Sequence, residues 1–90
     1  MSWKEILKAI MTTREFLQEL QKTYGGEITN KSSRKKLPYG RVLDITNMIL
    51  THDKGYVKVN QRGGGEFHVN VNGEFYQDYN LRKILPKILE

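Results

Sequence analysis

Five cationic side chains crowd into one stretch of this sequence. Lys31, Arg34, Lys35, Lys36 and Arg41 lie between Ile28 and Leu43, with no Asp or Glu among them. The formal charge is +5, so that window holds the whole excess and the basic and acidic residues elsewhere balance. Charge confined to one segment, rather than mixed along the chain, is the electrostatic footprint of a polyanion-binding surface. Ser32 and Ser33 add hydroxyl donors. The chemistry implied is the holding of phosphate groups. A solvated loop that keeps the protein dispersed is the competing reading.

A second group lies downstream. Arg62 opens the run Gly63-Gly64-Gly65, with Lys58 before it and His68 after it. Three glycines alone do not make a nucleotide loop, because the lysine and hydroxyl residue that complete a P-loop are missing. Between Tyr56 and Val71 the polarity alternates. Val57, Val59, Phe67, Val69 and Val71 fall on one side of a strand pair, and Tyr56, Lys58, Asn60, His68 and Asn70 on the other. A face of Tyr, Lys, Asn and His is able to stack against single-stranded bases and bond their edges, although such faces are more often plain solvated sheet.

Catalytic and metal chemistry find little support. His68 with Lys58 and Arg62 gives the outline of a general acid or base beside a phosphate clamp, but nothing in the spacing demands it. Two isolated histidines, His52 and His68, with no cysteine do not make a metal-binding motif. The expectation is a protein that is not an enzyme and takes no cofactor or metal. Zero cysteines in a chain of 90 residues also argue against a disulfide-stapled secreted domain. No apolar run approaches the length of a membrane span, and Lys4, Glu5 and Lys8 interrupt the N-terminal apolar residues. A cytoplasmic protein without a membrane partner is expected.

The elements that must position these residues read as follows. Ser2 and Glu5 form a capping box, and Trp3, Ile6, Leu7, Ile10 and Met11 line one helical face over 3–11. Thr12 to Glu15 repeats the signal and predicts a helix over 13–24, ended by Gly25-Gly26, with Phe16, Leu17, Leu20 and Tyr24 inward. One continuous helix from Trp3 is the alternative. Glu27 to Lys36 reads as a polar loop, with room for a short strand at 27–29. Pro38 opens a third helix over 38–52, its apolar face made by Val42, Leu43, Ile45, Ile49 and Leu50. Strands follow at about 56–61, 66–71 and 74–77. Asn72-Gly73 predicts a type I′ turn that sets Val71 opposite Glu74, Val69 opposite Tyr76 and Phe67 opposite Asp78. A last helix over 80–89 is capped by Asp78 or Asn80, with a kink or stop at Pro86.

This order is an α+β single domain over 1–90, with a helical N-terminal half, an antiparallel hairpin or meander and a C-terminal helix. Three helices before a hairpin with a glycine-rich tip resemble the element order of winged-helix domains, over residues 3–71. The expected function is nucleic-acid binding, with DNA favoured over RNA, as in a small regulator. Lys31, Arg34, Lys35, Lys36 and Arg41 would hold phosphates, together with Lys58 and Arg62 from the hairpin. The third helix would read bases through Tyr39, Arg41, Asp44 or Asn47. The apolar stripe from Leu81 to Leu89 offers a homodimer contact. The alternative is a protein-interaction module that docks the same basic segment on an acidic partner.

Overall fold

The structure is a computed structural model that describes residues 10–89. The helix expected over 3–11 therefore lies almost wholly outside the described residues. Helix α1 spans Thr13–Tyr24 and begins where the capping signal places it. The Thr12 hydroxyl accepts from the Glu15 N–H at 3.1 Å, and Glu15 Oε1 accepts from the Thr12 N–H at 3.3 Å. Phe16, Leu17 and Leu20 turn inward, as their spacing requires. Gly25 follows with φ 70°, and its N–H donates to the Gln21 carbonyl at 2.8 Å.

After α1 the chain is almost entirely extended. β1 is Glu27–Asn30, β2 Ser33–Lys36, β3 Val42–His52, β4 Gly55–Arg62, β5 Phe67–Val71 and β6 Glu74–Asp78. All pairings are antiparallel, in the order β1, β3, β4, β5, β6, with β2 also on β3. β1 and β2 lie end to end along β3 in one unbroken register: Asn30 faces Met48 and Ser33 faces Ile45. The break between them is local. Asn30 Oδ1 accepts from the Ser32 N–H at 2.9 Å, and the Ser32 hydroxyl takes the Asn47 N–H at 3.0 Å. A side-chain oxygen there replaces a ladder carbonyl. The Asn72-Gly73 turn has φ of 52° and 94°, and its hairpin has the expected register, Val71 to Glu74 and Val69 to Tyr76. The sheet is thus a meander of five files.

Helix α2, Leu81–Leu89, closes the chain. Asn80 caps it, accepting from the Arg82 N–H at 3.0 Å. It continues through Pro86 instead of stopping at Leu85, and Pro86 lies on its exposed side. Both helices contribute to one core. Phe16, Leu17 and Leu20 of α1 and Leu81 and Ile84 of α2 are buried against Met48, Leu50, Val57, Val59 and Val69 of the sheet. The C-terminal stripe expected to pair two copies is therefore largely spent inside the chain, with Leu89 left exposed. The result is a slab of 44 × 36 × 20 Å. No helix among the described residues is long and apolar enough to cross a membrane.

The expected helical N-terminal half is overturned, and the winged-helix arrangement with it. Residues 38–52 form a short 3-10 turn, Pro38–Gly40, and then the longest strand of the sheet. Five of the ten residues from Val42 to Thr51 are β-branched, a composition that favours the pleat over the helix. The broad apolar face read as one side of a helix is the two sides of an inner strand. Met48 and Leu50 point into the core, while Leu43, Ile45 and Ile49 point the other way and are half-buried. In the polar stretch before it, the short strand expected at 27–29 is β1, Glu27–Asn30, while the loop expected after it is replaced by β2, Ser33–Lys36. Both pair with β3 along their length.

Candidate nucleic-acid interface

Strand alternation decides what each face of the sheet carries. The helices cover the side of Met48, Leu50, Val57, Val59 and Val69. The other side is uncovered among the described residues, and the register lays it out in rows. One row runs Thr29, Ile49, Lys58, Asn70, Phe75. The next runs from Asn47 through Asn60 and His68 to Gln77, with Lys31 donating its N–H to the Asn47 carbonyl at 2.7 Å. Beyond it Ser33, Ile45 and Arg62 share a row, and Lys35 faces Leu43. Tyr56, Lys58, Asn60, His68 and Asn70 occupy this outward side, as the alternation predicted.

Lys31, Lys35, Lys58 and Arg62 thus project from one uncovered face. Its carboxylates lie at the margins. Glu27 is at one corner opposite Thr51, and Glu66 in the β4–β5 loop accepts from the Gln77 amide at 3.2 Å. The floor between the cations is partly apolar. Ile45, Asn60, Arg62, Gly65, Glu66 and His68 border an open cavity of about 420 Å³.

The five-cation window is divided by the same alternation. Lys35 goes to the uncovered face, while Arg34 and Lys36 share the side of Asp44 and Val42. Arg34 Nε donates to Asp44 Oδ1 at 2.8 Å, so this guanidinium already has a carboxylate partner. The window ends in a two-stranded ribbon whose tip is Leu37 to Arg41, closed by the Leu37 N–H on the Arg41 carbonyl. Among the described residues no helix N-terminus stands beside these cations, because the helix expected from Pro38 is a turn followed by a strand.

Asn47 also changes role. Expected on a recognition helix, it sits in the middle of β3 with Oδ1 buried and without a hydrogen-bond partner among the described residues. His52 stacks on Tyr24, ring centroids 4.9 Å apart, and its Nδ1 accepts from the Lys54 N–H. It packs the turn after β3. His68 is exposed on the same face as Lys58 and Arg62, on the neighbouring strand.

Phe75 is the residue the sequence reading missed. It lies opposite Asn70 on the uncovered face and is 78% exposed. The signal was present: the Asn72-Gly73 turn fixes that pairing once the register is written out in full. Compared with protein-family models, with curated proteins and with solved structures, the chain matches none.

Proposed function

We propose that the protein binds nucleic acid on the uncovered face of its sheet. The observation that carries the reading is the sidedness of the charge. Lys31, Lys35, Lys58 and Arg62 project from the face opposite both helices, with Glu27 and Glu66 only at its edges. A flat, cationic, partly apolar surface suits a phosphate backbone whose bases lie against the sheet. Arg41 at the ribbon tip adds a cation next to this face, whereas Arg34 contributes less because Asp44 already holds it. The work is binding rather than catalysis, and its setting is the cytoplasm.

The test is fluorescence anisotropy with labelled single-stranded and duplex oligonucleotides over a salt series. Four phosphate contacts give a log–log slope of about −3 on a single strand and about −4 on a duplex. Absence of binding to every oligonucleotide at low salt rules the reading out. Capture of an acidic protein by the same face would then be the result to pursue.

A further inference from the structure

We propose that the ligand is single-stranded, and that one base stacks on Phe75 while the Asn70 amide bonds its edge. This rests on the nucleic-acid reading above and names the substrate class for the same face.

The subsite is a single row across three strands: Phe75 on β6, Asn70 on β5 and Lys58 on β4. Residues directly opposite across a strand pair stand about 5 Å apart at Cβ. A ring, an amide and an ammonium group therefore lie within the span of one nucleotide. Phe75 offers its ring to solvent at 78% exposure, and Tyr56, 37% exposed, borders the row. An exposed ring alone says little. The amide beside it is more informative. Asn70 Oδ1 accepts from the Gly73 N–H at 2.8 Å and from the Tyr56 hydroxyl at 3.4 Å. A backbone N–H only donates, so the oxygen must face Gly73 and the amide nitrogen must point away from it. That nitrogen has no hydrogen-bond partner among the described residues. Two fixed N–H donors beside an open ring match a base that presents carbonyl or ring-nitrogen acceptors. Lys58 in the same row is placed for the adjoining phosphate.

Stacking on a ring held to a flat sheet needs a base with a free face. Bases inside a duplex have both faces covered, so an unpaired strand is the ligand that fits.

The experiment compares a labelled thymidine oligonucleotide of about 12 nucleotides with an abasic strand of the same length, and with a duplex. Wild-type protein, Phe75→Leu and Phe75→Tyr are titrated at one salt concentration. Phe75→Leu keeps apolar bulk but removes the ring. It should weaken thymidine binding by between about 5-fold and about 100-fold and leave the abasic strand unchanged. Phe75→Tyr should restore wild-type binding. Equal affinity for thymidine and abasic strands, unmoved by Phe75→Leu, overturns the inference but leaves the phosphate reading standing. Tighter binding of duplex than of thymidine strand overturns it too. Failure of all three probes to bind removes both.

Discussion

Tyr39 sits at the ribbon tip with φ 65° and ψ 30°, fully exposed at 102%. A bulky residue in the left-handed region costs roughly 1–2 kcal/mol, and here no packing offsets it. Glycine would adopt the same conformation freely while giving back part of the gain as unfolded-chain entropy. Tyr39→Gly is expected to stabilise the fold by about 0.5–1 kcal/mol, read as a raised urea midpoint with an unchanged slope. A lowered midpoint would mean the ring has a structural contact. Ser32 presents the opposite case. Its hydroxyl accepts the Asn47 N–H where the ladder breaks between β1 and β2. Ser32→Ala leaves that amide without its acceptor and should cost about 1 kcal/mol. Amide exchange at Asn47 should accelerate while β4 and β5 amides keep their order of protection. Side-chain chemistry of this kind was partly legible in advance. The Thr12–Glu15 box and the Asn72-Gly73 turn work through neighbours in sequence and could be read directly. The Asp44 partner of Arg34 sits ten residues away and depends on a strand pairing that local pattern did not reveal.

At the scale of elements, β3 separates what patterning specifies from what it leaves open. A strand buried on one face alternates cleanly, as β4 and β5 do, and both were read correctly. β3 is an inner strand beneath α1, flanked by β1 and β2 on one edge and β4 on the other, with apolar residues on both sides, and alternation is lost there. Pro38 then favoured a helix start, although Pro38-Tyr39-Gly40 serves as the turn of a hairpin. The two assignments make different demands of adjacent residues. In a helix, Ile49 and Leu50 would share the inward face. In the sheet they point to opposite sides, Leu50 fully buried and Ile49 half-buried. Leu50→Ala should therefore cost about 2–5 kcal/mol. Ile49→Thr, still β-branched and facing outward, should cost less than about 1 kcal/mol. Equal losses in chemical denaturation would contradict the strand.

At the scale of the fold, the two helices among the described residues gather on one layer, and the other layer of the slab carries the cations. That sidedness is a product of topology. Lys31 and Lys35 reach the same face as Lys58 and Arg62 only because β1 and β2 pair with β3 in one continuous register. The sequence shows that charge is concentrated in one window. It does not show that the window is folded into two faces, one of which continues across β4. Arg14 and Lys83 provide the matching control. Both are exposed in the first turns of α1 and α2, away from the uncovered face, and a carboxylate is well tolerated at a helix N-terminus. The most direct measurement compares two charge-reversed proteins of identical net charge for single-strand binding at low salt. One carries Lys35→Glu with Lys58→Glu, the other Arg14→Glu with Lys83→Glu. Binding on the uncovered face predicts that the first pair loses at least about 10-fold in affinity and flattens the salt slope by about 1.4, while the second stays near wild type. Equal losses from both pairs would show attraction to net charge alone, and would contradict a binding surface built on this face of the sheet.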